Sequence, residues 1–239
     1  MLTAKDIIVK PIKASAAIAL VKKVHYSGKV VNNSFLHLGV FLSGKLEGVM
    51  SFGSPLDKRK VLSLVEDTKW TGMLELNRMA FTDLLPRNSE SRALAIAFKL
   101  IKKNYPHIEW ILSFSDATQC GDGTIYRASG FVLTQIKKNM TIYNTPSGKT
   151  MARLTWDARS PEARKALALK YGFVKYDVGS FFVKTAKMNG MSRLVGYQLR
   201  YIYFLNEAAR ERLTVPIVPF SKIDEMGIGM YKGKKKRVK

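Results

Sequence analysis

Cysteine is almost missing: Cys120 is the only one in 239 residues. No disulfide can form within the chain, and a reducing compartment such as the cytoplasm is the expected home. Long apolar runs are missing too. The nearest approach, Ala14 to Val21, falls far short of the roughly 18 residues that span a bilayer, so no membrane partner is expected. The first residues show no basic stretch leading into an apolar segment and a small-residue cleavage site, so no signal peptide is expected either. Histidine is scarce, with three copies. No His-x-Glu with paired cysteines occurs, which argues against a zinc deaminase. The glycine pattern Gly-x-Gly-x-x-Gly after a strand and an Asn/Asp-Pro-Pro-aromatic motif are both absent, which argues against an adenine amino-methyltransferase.

Acidic residues are also few. Eighteen Asp and Glu face forty Lys and Arg, a formal charge of +22. Such a surplus repels itself and attracts polyanions, and nucleic acid is the partner it favours. The surplus is uneven. Residues 1–136 carry 18 basic and 11 acidic side chains, whereas residues 137–239 carry 22 and 7. The second stretch is therefore the electrostatic part of the molecule. A hydrophobic content of 46% is that of an ordinary globular protein, and one α/β domain with insertions is the economical reading.

Local patterns fill in the order of elements. A strand at Ile7–Lys10 precedes a helix at Ala14–Val24. Phe35–Phe41 and Leu46–Phe52 form a hairpin turned at Ser43-Gly44. Residues 54–72 read as an insertion or a lid-like helix, and Met73–Phe81 as a strand. Asn88 is a good N-cap for a helix over Ser89–Asn104, with Ala93, Ala97, Leu100 and Ile101 on its buried face. Ile108–Phe114 is a fully covered strand. A glycine-bearing loop, 119–123, leads to a short helix at Thr124–Ser129, a break at Gly130 and a strand at Phe131–Gln135. A second hairpin follows over Met140–Trp156, then a helix from Ser160 to Tyr171 and an aromatic strand at Gly196–Leu205. The expected domain runs 1–231, with a motif-rich core at 73–135, and residues 232–239 form a basic, mobile tail.

Strand, short loop, helix, strand, short helix, Gly-Phe, strand is the order of the donor-binding half of the GCN5-related N-acetyltransferase fold, which the chain resembles from Met73 to about Leu133. More narrowly it resembles the phage Mom family. The matching stretches are His25-Tyr26-Ser27-Gly28, Asn88-Ser89-Glu90-Ser91-Arg92, and Ser115-Asp116 followed by Gly123-Thr124-Ile125-Tyr126-Arg127-Ala128. The resemblance implies a mixed α/β fold with a central, mostly antiparallel sheet flanked by helices. It implies a DNA-modifying transferase in the host cytoplasm that places a carbamoylmethyl group on N6 of adenine and protects phage DNA. Two alternatives stay open: an N-acetyltransferase for a modified base, tRNA or protein, and a non-catalytic DNA-binding anti-defence protein. One departure is plain, because Arg87 to Arg92 lacks the glycines of the superfamily's donor-phosphate signature.

Candidate residues follow from this. Arg87, Asn88, Ser89, Glu90, Ser91 and Arg92 open a helix, where free N–H groups and the dipole attract an anion, so they are the donor-binding candidates. The donor is acetyl-CoA or another activated donor such as a charged tRNA. Tyr126, four residues before Gly130, is placed to protonate a leaving group. Asp116 and Ser115 sit at a strand's carboxyl end, where ligands meet open sheets, and the same aspartate could equally form an Asx turn. His25 is a candidate base, DNA contact or metal ligand, with His25 and Asp116 the residues to examine for iron. His37 and His107 read as structural. Duplex DNA would be held by Tyr26, Lys29, Arg78, Arg153, Arg159, Arg193, Arg200, Lys234, Lys235 and Lys236. Tyr143, Trp156, Tyr197, Tyr201 and Tyr203 are candidate stacking surfaces for an extruded base.

Overall fold

The computed structural model describes residues 2–25, 27–28, 30–118, 121–228, 230–231 and 234–235. Alternating apolar positions place seven strands in one sheet of order β1-β2-β3-β4-β5-β9-β6. These are β1 (Ile8–Pro11), β2 (Ser34–Leu42), β3 (Lys45–Gly53), β4 (Met73–Phe81), β5 (Trp110–Asp116), β6 (Val132–Asn139) and β9 (Gly196–Phe204). Every pairing in this sheet is antiparallel except β4 with β5. The mixed α/β architecture with a mostly antiparallel sheet is therefore the one expected.

Helices cover both faces. Helix α1 (Ala14–Val24) sets Ala17 and Val21 against Val49 and Ala80. Helix α3 (Ser89–Asn104) buries Ala93, Leu94, Ala97, Phe98 and Ile101 against Leu38, Phe52, Leu76 and Ile111. The buried stripe is wider than the sequence predicts and is centred one residue earlier. Leu94 and Phe98 belong to it and Leu100 stays partly exposed. A short helix, α2 (Lys58–Leu62), lies within 54–72. That stretch is a strap rather than a lid: Leu64 and Val65 are buried with Trp110, Leu112 and Ile202, and Val65 bridges to Leu213. Burying two such side chains stabilises by about 1.5–3 kcal/mol each, too much for a segment that must open.

The site depends on one junction. β4 and β5 pair through only three positions, Met73↔Trp110, Leu74↔Ile111 and Glu75↔Leu112. Both strands continue, to Phe81 and Asp116, without pairing to each other. The β3–β4 register shifts at this point, since Ser51 faces Arg78 while Phe52 faces Leu76. Asn77 is the extra residue, and a bulge there bends β4 where it leaves β5.

Helix α4 (Thr124–Ala128) follows β5. After β6 the chain leaves the sheet at Asn139 and returns opposite it at Gly196. The excursion holds β7 (Ile142–Asn144), β8 (Thr150–Ala152), α5 (Leu154–Asp157), α6 (Pro161–Tyr171) and α7 (Phe182–Met188). It has a core of its own, with Trp156, Phe173 and Phe182 at its centre. Ser160 caps α6 through Ala163 N–H, Pro161 fills its first position and Gly172 ends it in the left-handed region. After β9 come α8 (Glu207–Glu211) and α9 (Ser221–Glu225). Within the expected mobile tail, Lys234–Lys235 (β11) pairs with Met230–Tyr231 (β10) in a short antiparallel ladder, a correction to the unstructured run predicted there. The other tail residues, Lys236 among them, lie outside the described residues.

The α1–β2 connection is pinned to the end of β3. Ser54 N–H donates to the Asn33 carbonyl, and the Asn33 side-chain amide donates to the Ser54 carbonyl. A Cβ at Gly53 would lie 2.0 Å from the Asn33 carbonyl oxygen, backbone that cannot give way cheaply. Gly53→Ala should therefore destabilise the fold by about 1–3 kcal/mol in denaturant unfolding, while an exposed change such as Lys149→Ala stays within about 0.5 kcal/mol. Equal midpoints for the two variants would show that this connection is not held as described.

Candidate active site in a splayed cleft

The parting of β4 from β5 creates a cleft with β4 as one wall, and the chemistry-bearing residues lie along that strand. Glu75 occupies the last paired position. It is largely buried, and burial pushes its carboxyl up to about 7 against the downward pull of a hydrogen bond with Asn77 and the charge of Arg78. The Asn77 side-chain oxygen, Oδ1, also accepts from the Ser34 hydroxyl at 3.0 Å. Arg78 follows the bulge and donates to its neighbour's carbonyl, Asn77 O, at 2.6 Å.

His25 caps the end of α1 and stands within the electrostatic reach of Arg78. Burial first, and Arg78 second, lower its pKa to about 4. Its Nδ1 accepts the Ser27 N–H at 3.2 Å and lies 2.8 Å from the Ser27 hydroxyl. With Nδ1 accepting, the neutral ring carries its proton on Nε2. At neutral pH this histidine is a weak base, which does not suit the role of base expected for it, whereas burial brings the Glu75 carboxyl close to neutrality.

A pocket of about 330 Å3 lies between α1 and the sheet, lined by Ala14, Val21, Asn32, Ser34, His37, Ser51 and Arg78 among others. His37 bonds the Ser51 hydroxyl at 2.9 Å, so this residue is both structural and part of the pocket wall. At the other end of β4 a groove of about 360 Å3 runs between the start of α3 and α4. Phe81, Thr82, Thr124 and Ile125 form part of it, with Arg87, Asn88, Glu90 and Ser91 from the expected donor set. Ser89 lies fully buried with no partner for its hydroxyl. Arg92 is not among the lining residues and feels Asp6 instead.

Asn88 holds the N-cap position but makes no side-chain cap, because its backbone is left-handed at φ 69°. This corrects the capping role read from sequence and leaves the first turn of α3 open for an anion. Asp83 and Glu90 also line the groove, so side-chain charge does not favour an anion there. The dipole of a sixteen-residue helix and Arg87 supply the attraction.

On β5, the Asp116 carboxylate accepts Thr118 N–H at 3.0 Å, and the Ser115 hydroxyl donates to the Gly121 carbonyl at 2.6 Å. Both residues shape the turn after the strand. The Tyr126 ring packs 5.1 Å from Phe131 and 5.2 Å from Tyr201. Several residues expected to meet DNA are committed elsewhere. Tyr143, Trp156 and Tyr201 are buried core rather than stacking surfaces, and Tyr201 donates to the Asp122 carbonyl. Tyr197 and Tyr203 are partly buried against the main core. Arg153 pairs with Asp157 at 3.2 Å, Arg193 donates to the Tyr143 hydroxyl at 2.9 Å, and Arg200 donates to the Thr134 hydroxyl at 3.0 Å. Arg159 is exposed. Tyr26 and Lys29 lie outside the described residues, as do the side chains of Lys234 and Lys235. Among the described residues no three His, Cys, Asp or Glu side chains gather to hold a metal ion, so the iron expectation gains no support. No helix among them is long and apolar enough to cross a membrane.

Glu75 escaped the sequence reading. Its one signal was a lone carboxylate inside the apolar run Met73–Phe81.

The sheet is mixed, its one parallel pair separates after three positions, and the start of α3 borders the groove at the far end of β4. The Mom protein family model matches residues 6–222. The chain is 35% identical over 214 residues to the methylcarbamoylase Mom of Escherichia phage Mu, covering 89% of this chain and 81% of that one. It belongs to the Mom protein family. Solved structures similar to it include the ribosomal-protein-S18-alanine N-acetyltransferase of Escherichia coli, 10% identical over 84% of this chain and 94% of that one, with a TM-score of 0.43. A GNAT family acetyltransferase from Elizabethkingia anophelis with acetyl-CoA bound is also 10% identical, over 83% and 98%, with a TM-score of 0.42.

His25 titrates differently in the folded and unfolded chain, which makes it testable. Its lowered pKa contributes stability that is present above about 6.5 and lost as pH falls through about 4. Melting should therefore fall more on acidification in the wild type than in His25→Gln, by the equivalent of about 1–3 kcal/mol across that window. Parallel acid profiles would show that the ring is not held neutral.

Proposed function

We propose that this chain is a transferase that places a small carbon unit, a carbamoylmethyl group, on N6 of adenine in DNA. The observation that carries it is the course of β4, which runs from Glu75 and Arg78 beside the α1 pocket to the groove at the start of α3. Membership of the Mom family, and the methylcarbamoylase named in phage Mu, supply the chemistry.

Adenine N6 is a poor nucleophile because its lone pair is shared with the ring, and in a duplex it is engaged in pairing. The base must be extruded, at a cost of about a few kcal/mol, before it can enter a pocket such as the one lined by Arg78. N6 then forms a bond to the donor carbon and gives up one proton, while the donor's leaving group departs with the bonding pair. Glu75, half ionised near neutrality, is placed to take that proton. Arg78 orients the incoming base and keeps the carboxyl from rising further.

The donor must carry the amide nitrogen as well as the two carbons; acetyl-CoA alone would deliver only an acetyl group, so a coenzyme A thioester that bears the nitrogen and a charged tRNA are the two to test. The uncapped first turn of α3, with Arg87 and Ser91 on the groove wall, suits one anionic group of such a donor. Tyr126, next to the groove-lining Ile125 on α4, is the proton donor for the leaving group in this reading, though its ring packs against Phe131 and Tyr201 and must turn to reach the groove. Ser115 and Asp116 hold the loop that carries α4. Residues 1–231 act as one folding unit in this reading, because β9, beyond the excursion, is the strand between β5 and β6.

Nucleosides from cells expressing the chain should contain an adenine heavier by a carbamoylmethyl group, read by mass spectrometry. Glu75→Gln should reduce the yield by about 10²-fold or more. In purified form the rate should rise with pH through about 7, as Glu75 loses its proton, and that rise should vanish in the variant. Unmodified nucleosides from soluble wild type would overturn the reading. Affinity for duplex DNA should fall with salt by about 0.9 log units per log unit for each phosphate neutralised, and a flat response would exclude a duplex substrate.

A further inference from the structure

The closed end of the cleft backs onto a second cavity that the transfer reaction leaves unused. It measures about 370 Å3, within the roughly 300–1,000 Å3 typical of small-ligand sites. Phe35, Trp70 and Tyr105 line it and remain 66%, 57% and 43% exposed. Three large aromatic side chains gathered around one opening are unusual on a surface that has no partner to cover them.

Lys58 lines the same cavity and is only 9% exposed. Its Nζ lies 5.2 Å from the centre of the Trp70 ring. No carboxylate among the described residues pairs with it, and the adjacent Asp57 is bound to Lys60 at 2.7 Å. A covered cation is costly to keep, and a ring face offsets only part of that cost. The missing element is an anion. Arg59 and Lys69 stand exposed in the same strap, with Glu66 and Asp67 exposed there too, and Lys102 and Lys103 close α3 just before Tyr105.

We propose that this cavity takes one nucleotide of an unstacked stretch of nucleic acid, the base against Trp70 and Tyr105 and the phosphate against Lys58. Aromatic faces with interleaved cations are what single strands bind, since every base offers a π-face and every linkage a charge. The proposal rests on DNA being the substrate. Extruding one base leaves its neighbours and its former partner unstacked, and this platform holds one of them. Met73 and Leu74 form part of the cavity wall and Glu75 follows directly, so the held nucleotide lies one strand residue from the proposed base.

Trp70 reports on the site without any modification assay. Trp110 and Trp156 are fully buried, so quenching by a solute in this cavity is a Trp70 signal. A thymidine octamer should quench it saturably. The matching abasic octamer should bind about tenfold or more weakly, and so should Lys58→Met and Tyr105→Ala acting on the intact octamer. Melting curves confirm that both variants fold. No quenching by the octamer, equal response to the abasic strand, or unaltered binding in both folded variants would overturn the proposal. A shift caused by octanoate but not by the octamer would overturn it too, in favour of an apolar ligand. A chain that modifies adenine yet shows no Trp70 quenching defeats this proposal alone. Quenching without modification defeats only the transferase reading.

Discussion

Everything functional in this protein depends on the point where β4 stops pairing with β5. Three parallel pairs hold the strands together, and the bulge at Asn77 then bends β4 away. The backbone groups turned into the gap lose their ladder partners, which a sheet does not do without compensation. Part of the compensation is the Ser113 hydroxyl, which stands 3.5 Å from the Leu76 carbonyl just past the last pair, and the cores beneath α3 and α1 cover the two faces of the gap. A ligand entering it meets strand edges already oriented to bind.

The same bend organises the electrostatics. Asn77 is turned aside as the bulged residue and links Ser34 at the start of β2 with Glu75. Arg78, the next residue, is the shared neighbour of Glu75 and His25. One local irregularity thus connects the α1–β2 connection, the carboxyl near 7 and the neutral histidine. Burial drives the two titrations in opposite directions, upward for the acid and downward for the histidine, because in each case the charged form is the one penalised. The outcome is a proton acceptor and a neutral imidazole beside one guanidinium.

Much of the framework could be read from sequence because proline and glycine mark its joints. Helices Ala14–Val24 and Ser89–Asn104 and strand Met73–Phe81 have the bounds the pattern predicts. β5 is offset by two residues, since Ile108 and Glu109 belong to the turn after α3 rather than to the strand. The site was less legible, for physical reasons. Aromatic residues serve cores and binding surfaces alike, so Tyr143, Trp156 and Tyr201 could not be separated from a stacking platform by spacing. Arg153, Arg193 and Arg200 look like free cations until their partners are brought near by folding. Helix α7 has only seven residues, too few for its apolar pattern to stand out, and like α1 it starts without a side-chain cap. Glu75 depends on a bulge and on the depth of its burial, and neither is written in residue type. The platform around Trp70 joins β2, the strap and the end of α3, three segments that only the tertiary fold brings together.

The central claim is that the gap between β4 and β5 is where donor and base meet. Hydrogen exchange measured peptide by peptide tests it directly, with coenzyme A and a duplex added separately and together. The account predicts that coenzyme A slows exchange over residues 81–91, that DNA slows it over residues 25–34, and that both together slow residues 76–81 and 113–116 beyond either alone. Protection by both ligands that leaves residues 76–81 and 113–116 exchanging as in the free protein would contradict it.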